Sequence, residues 1–314
     1  MKFKAFLTDN GISLLEKRLL PALDKLDRTC VLYLTPQHTL FLHNLLSSST
    51  VIQSVAQVAN PALFLEHRIS SQCDDRIALT LDTSLLLRAL RSVVTISSSC
   101  PVQIKLVKKL PPSTTQPMPF LSFETKGRNS AVIHDVPISK PFSRSQVLEL
   151  QAAIDSSQTL PKTLVQIPYL NQLMSFMERM RHVGDSLNVG VSKYGDLHLE
   201  ISTPMITLGT EFQRLLVLGE RAEPPAASDP GASPGKRMEV AIQGGDGLMV
   251  QVTVKNFTKS LSCHLAKPDC AFYGIEEQSG CLVVVFQFFI PGTRITDKAI
   301  SLHCRIPVID TGCN

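Results

Sequence analysis

The chain has 314 residues, 44% of them hydrophobic and 18% charged, with a mean hydropathy of +0.12. That is too much core-forming material for a disordered chain, and the length suggests about two domains. Net charge is only +4, so a nucleic-acid role has to come from where the charge sits, not from its amount.

The longest apolar run, Cys281 to Ile290, is about half the length needed to cross a membrane and is broken by Gln287. Its β-branched and aromatic content suits a buried strand. The opening MKFKAFLTDNG holds too few apolar residues for a signal peptide, so an intracellular protein is expected. Eight cysteines are scattered without a Cys-x-x-Cys pair and read as reduced thiols. His38 and His43 near Cys30 match no common ligand spacing, so neither a metal nor a cofactor is expected.

In chain order, residues 2–8 read as a strand, and Asp9, Asn10 and Gly11 supply turn and cap chemistry. Ile12, Leu15, Leu19, Ala22 and Leu26 follow at helical spacing, with Pro21 expected to kink or split the helix. Cys30–Leu34 and Thr39–His43 form a hairpin around Thr35-Pro36. Ile77, Leu79 and Leu81 alternate, Asp82 caps, and Leu85, Leu86, Ala89, Leu90 and Val93 make an apolar stripe. Strands return at 102–107, 119–124 and 131–136. Residues 137–160, rich in Ser, Pro and Gln, read as an interdomain connector.

The second half repeats this grammar. A strand at 164–167 leads to a helix carrying Leu170, Leu173, Met177 and Met180, then strands near 187–192, 196–202 and 205–210. Residues 219–237 are low in complexity and read as a mobile loop. Val250, Val252 and Val254 run into a helix with Phe257, Leu261 and Leu265, and strands near 272–276 and 281–290 finish the core. Asp135-Val136-Pro137 and Phe289-Ile290-Pro291 read as matching ends of the two halves, with 293–314 as an appended tail. The pattern is an internal duplication with a period of roughly 150 residues.

On helical wheels the basic residues gather opposite the apolar stripes. The four main helices carry ten Lys or Arg, at positions 17, 18, 25, 28, 88, 91, 179, 181, 255 and 259. Against them stand five acids: Glu16, Asp24, Asp27, Asp82 and Glu178. Outer faces are polar in any case, so solvation alone explains one such helix. Four of matched sign, in matched positions of a duplicated fold, leave two readings: solvation again, or a polyanion held through its phosphates without reading base sequence.

Other motifs carry less. Gly231-Ala-Ser233-Pro-Gly235 matches a nucleophile elbow but lacks the strand before and helix after it. Gly244-Gly245-Asp246-Gly247 is a turn with no phosphate-binding Lys-Ser/Thr behind it. His134-Asp135 has no nucleophile to serve.

Several segments occur in a telling order: MKFKAFLTDNG, LTLDTSLLLRALRSV, VIHDVPI, IPYLNQLMSFMERMRHVGDSLNV, GDLHLEI, VTVKNFTKSL and QFFIPG. Together they resemble the Hus subunit of the heterotrimeric DNA-damage checkpoint clamp, a relative of the replication sliding clamps. The resemblance spans about residues 1–292.

It implies an α+β clamp fold of two similar domains, 1–136 and 161–292, each with β-sheets backed by two helices lining a ring. Lys17, Arg18, Lys25, Arg88, Arg91, Arg179, Lys255 and Lys259 would face DNA. Subunits would join through edge strands at Ala131, Val132, Ile133, His134 and Asp135, and at Ile206, Thr207, Leu208, Gly209 and Thr210. Pro21 interrupts a helix the family keeps continuous, and Asn171 and Met174 stand where related chains place lysines.

The implied partners are two related subunits, double-stranded DNA, an ATP-dependent loader, and repair and signalling proteins docking near 137–160. The implied location is the nucleus, with the cytoplasm as a second site. No enzymatic role and no membrane are expected. The alternatives are a homotrimeric replication clamp and, more remotely, an α/β hydrolase acting through Ser233.

Overall fold

The computed structural model describes residues 1–46, 50–96, 101–111, 115–126, 131–167, 170–223, 235–277 and 280–309. The same unit is built twice. The first begins with β1 (Lys2–Leu7) and a helical run made of α1 (Asp9–Leu14), a π-helical turn (Leu15–Leu19) and α2 (Leu20–Leu26). Next come β2 (Thr29–Leu34), β3 (His38–His43), β4 (Gln53–Ala59), the short α3 (Asn60–Leu63), β5 (Phe64–Ser70) and β6 (Ile77–Asp82). α4 (Thr83–Ile96), β7 (Gln103–Lys109), β8 (Met118–Lys126) and β9 (Ala131–Pro137) complete it, and α5 (Arg144–Ser157) links to the second unit.

That unit runs β10 (Thr163–Gln166), α6 (Leu170–Met180), β11 (Ser186–Ser192), β12 (Leu197–Ser202), β13 (Thr207–Phe212), β14 (Val217–Gly219), α7 (Lys236–Gln243) and β15 (Gly247–Thr253). α8 (Val254–Leu261), a 3-10 turn (Ser262–Ala266), β16 (Cys270–Glu276), β17 (Cys281–Gln287) and β18 (Ile300–Ile306) close it.

The strands form three antiparallel sheets, ordered β5-β1-β7-β8-β9, β14-β10-β16-β17-β18-β4-β3-β2-β6 and β13-β12-β11-β15. The repeat is exact in pairing logic. β2 pairs with β6 as β11 pairs with β15, and β1 pairs with β7 as β10 pairs with β16. The Thr83 amide donates to the Arg28 carbonyl just as the Val254 amide donates to that of Asp185. One apolar cluster runs through both halves, filled by the inward faces of the sheets and helices.

Five expectations need correction. Residues 300–306 are not tail: β18 lies inside the nine-stranded sheet, between β17 and β4, and its alternate residues Ile300, Leu302, Cys304 and Ile306 are buried. The true counterpart of Val136-Pro137 is therefore Ile306-Pro307, since Leu121 faces Val136 as Leu282 faces Ile306. The segment from Phe289 to Pro291 instead opens the turn that leads to β18.

The supposed connector contains α5, opened by a capping box between Ser143 and Gln146. Val147, Leu150 and Ile154 press it onto the outer face of the long sheet against Tyr33, Leu40, Leu42, Val55 and Ala78. The expected loop at 219–237 is shorter at both ends, which belong to β14 and α7; residues 224–234, including Ser233, lie outside the described residues. α7 covers the matching place in the second half. Met238 lies over Gly190, where a β-carbon would stand 3.0 Å from its Cγ.

Pro21 does not split its helix. The Leu20 amide reaches back five residues to the Leu15 carbonyl. The wider π turn thus absorbs the proline at the start of α2. Leu19, Leu20, Ala22 and Leu23 are fully buried on either side of it.

Three histidines lie in or beside the long sheet, His43 buried and His264 and His303 half-buried. His43 Nδ1 lies 2.8 Å from Ser54 Oγ, and the His264 ring packs edge-on to Phe286. Burial pushes His43, His264 and His303 down from 6.5 to about 4, against a smaller opposing pull of Asp27 on His43. Groups held neutral in this way lend stability that is complete above about pH 6.5 and is lost as pH falls toward 4. The melting temperature should therefore drop between about pH 7 and 5, and drop less over that interval in His43→Gln. Calorimetry across this range checks it; equal pH slopes in the two proteins would count against the assignment.

Candidate nucleic-acid interface

Four helical segments lie side by side along one face of the sheets. α2 packs between α4 on one side and α8 with its 3-10 turn on the other, and α6 follows α8. Their apolar residues, among them Leu19, Leu23, Leu86, Leu90, Leu173, Met177, Phe257 and Leu261, sink into the core. The opposite faces are left to solvent. α4 starts firmly because Asp82 caps it, accepting from the Leu85 amide at 3.0 Å. Burial raises the Asp82 carboxyl, but Ser84, the Leu85 amide and Arg28 outweigh it and hold the group at about 2.

The structure brings most of the expected cations onto this open face. Lys17, Lys25, Arg88, Arg91, Arg179 and Lys255 are exposed. Of these, only Arg91 has an acid within ion-pair distance among the described residues, Glu16 at 3.6 Å. Lys25 stays with the group because the helix around Pro21 is continuous, whereas Arg28 is bound to Asp82 at 2.6 Å. Asn171 and Met174 are both exposed on α6, which is left with Arg179 as its cation on this face.

Two expected contacts are committed elsewhere. Arg18 Nε donates to the Ala266 carbonyl at 2.9 Å and its terminal nitrogen to Lys267 at 3.1 Å, with the guanidinium 5.1 Å from the Phe288 ring centre. Lys259 Nζ donates to the Leu26 carbonyl at 3.0 Å. Each cation thus closes the carbonyl end of a helical segment in the other half, where backbone acceptors lack partners of their own. Asn256 adds a bond from its side-chain amide to the Thr50 carbonyl. A helical wheel shows which residues leave the core of their own half. It cannot show that another half waits beside them.

Both expected edge strands stand at edges. β9 ends one sheet and β13 ends another. On β9, Asp135 is paired with Lys109 at 2.6 Å and His134 Nε2 lies 2.9 Å from Ser92 Oγ, while Ile133 is 51% exposed. Ile206, 48% exposed, immediately precedes β13, and the ladder itself starts at Thr207.

Sequence reasoning missed Arg305 of β18, which pairs with Glu276 and donates to the Ser157 carbonyl at the end of α5 at 3.3 Å. The alternating run Ile300 to Ile306 was the available signal.

The family model described as Hus1-like protein matches residues 1–294. The chain belongs to the Hus1-like family. Human "Checkpoint protein HUS1" is 26% identical over 231 residues, covering 73% of this chain and 77% of that one. The fission-yeast "Checkpoint protein hus1" is 27% identical, covering 63% and 66%, and the fly "Checkpoint protein Hus1-like" is 26% identical, covering 69% and 77%. Among solved structures, the Proliferating Cellular Nuclear Antigen of Entamoeba histolytica superposes with a TM-score of 0.59 over 98% of both chains, at 11% identity. This Hus1-like chain therefore has the sliding-clamp fold.

The two kinds of cation are separable by stability. Arg18→Ala should cost about 1.5–3 kcal/mol, the worth of hydrogen bonds from a charged group. Lys17→Ala, one residue away and exposed, should stay within about 0.5 kcal/mol of the parent. Chemical denaturation of the two variants reads the difference directly.

Proposed function

We propose that the chain is one subunit of a heterotrimeric ring clamp of the DNA-damage checkpoint, encircling duplex DNA and recruiting signalling and repair factors. One observation carries this reading. The chain already contains a joint of the kind a ring needs, the antiparallel pairing of β4 in the first half with β18 in the second. The counterpart of β18 in the first half is β9, and the counterpart of β4 in the second half is β13. Those two strands are open edges, one of each type. An unpaired edge is a template for another strand.

The internal joint also supplies a register. His303 faces Val55 and Arg305 faces Gln53. Transposed to the open edges, Ile133 would face the neighbour's counterpart of Gly209, and Asp135 the counterpart of Thr207. Two different neighbours, rather than two further copies, are favoured by membership in a family whose named members are checkpoint proteins.

In the closed ring the helix row would face the hole. Lys17, Lys25, Arg179 and Lys255 would meet phosphates, with Arg91 partly neutralised by Glu16. So few cations per subunit give weak, sequence-blind, salt-sensitive attraction, which suits a ring that slides. In this reading the protein alters no covalent bond, an ATP-dependent loader opens the ring, and the site of action is the nucleus.

Co-expression with the two other clamp subunits should yield a 1:1:1 particle, measured by mass. A trimer of this chain alone would favour the replication-type alternative. Lys17, Lys25 and Lys255 together changed to Glu should leave that particle intact while shortening its retention on circular DNA. The drop in retention with added salt should become shallower in the variant. Unchanged retention would remove the channel assignment.

A further inference from the structure

The two halves are alike enough for one to serve as a map of the other, and the map singles out Arg88. α4 and α8 are counterparts, aligned by the matching bonds of Thr83 and Val254. At this alignment Phe257, Ser260 and Leu261 correspond to Leu86, Ala89 and Leu90, and all six are buried. These residues seat each helix on its own half.

A second face differs between the helices. Asn256, Cys263 and Ala266 are buried and Lys259 is half-buried, because this face of α8 and its 3-10 turn lies against α2 across the internal joint. The counterparts on α4 are Leu85, Ser92, Thr95 and Arg88. Leu85 and Ser92 are half-buried, while Thr95 and Arg88 are exposed. They recur at helical spacing along one stripe. Among the described residues no helix covers that stripe, and it runs alongside β9, which α4 packs against.

Lys259 shows what the position does when its partner is present: it caps the last carbonyl of α2, that of Leu26. We propose that Arg88 fastens a neighbouring clamp subunit, donating to the terminal carbonyls of the first helix in that subunit's second half, and is not a phosphate contact. This inference rests on the ring reading. It follows because a strand of β13 type laid along β9 brings its own half's first helix beside α4, as β4 brings α2 beside α8. The acceptor in this chain's own second half, offered to the other neighbour, is the Val183 carbonyl. Val183 is the counterpart of Leu26, since Gly184 donates to Met180 as Asp27 donates to Leu23. The partner surface is thus defined chemically: a helix C-terminus with unsatisfied carbonyls, next to an open strand.

The test uses the assembled heterotrimer with the chain immobilised, reading dissociation of each neighbour separately. The neighbour on β9 is identified by cross-linking from Ala131→Cys. Arg88→Ala should speed the loss of that neighbour about tenfold, in line with losing a hydrogen bond from a charged group. The neighbour on β13 should be unaffected. Arg88→Lys should remain within about twofold of the parent, because a lysine performs this task at position 259. Lys255→Ala, exposed on α8, should leave both rates unchanged.

Wild-type dissociation in Arg88→Ala, with retention on DNA reduced, would overturn the inference and return Arg88 to the channel. A parent chain that binds no neighbour along β9 would instead sink the ring reading itself. An unchanged melting temperature of isolated Arg88→Ala keeps unfolding out of the comparison. Should it melt early, Arg88→Gln, which keeps the stem and removes the charge, gives the same reading.

Discussion

The pairing of β4 with β18 is the interaction on which the rest of the molecule depends. It turns two units with separate sheets into one continuous nine-stranded sheet, and it fixes how the helices of one half lie beside those of the other. The contacts of Arg18, Lys259 and Asn256 across the halves follow from that placement. Take the ladder away and each of these side chains faces water. The ladder also decides which edges stay open, because each unit has one strand of each type and the internal joint uses one from each.

The same logic sorts the cations. A lysine on the outer face of an amphipathic helix has two fates: solvent, or the carbonyl end of a helix in the adjoining half. Helix ends are rich in unsatisfied acceptors, and a long cationic side chain reaches them while laying its stem on apolar neighbours. Lys255 and Lys259, four residues apart on one short helix, take different fates because only one side of α8 lies against α2. Charge on the helix row is therefore divided between cohesion of the two halves and an open, solvent-facing set.

Much of this was legible in the sequence. Alternation marked β1 and β6, and helical stripes marked α4, α6 and α8, since those elements bury one face and their periodicity survives. The duplication followed from the order of these elements, and the clamp fold from the segments shared with a known family. The errors lie where local pattern stops short. β18 has clear alternation, but Gly292 and Pro291 ahead of it suggested an ending. α5 is hidden because its burial rests on only three apolar residues across fourteen positions. Arg18 and Lys259 look like their exposed neighbours on a wheel, and only the juxtaposition of the halves tells them apart.

β18 has a consequence for how the protein is made. Its partner strand precedes it by some 250 positions, so the amino-terminal unit is synthesised long before the strand that covers β4. During that interval the unit bears a donor-type and an acceptor-type margin at once, and nothing in its geometry prevents polymerisation with its own kind. Arrival of the late strand stoppers one margin and leaves the other open.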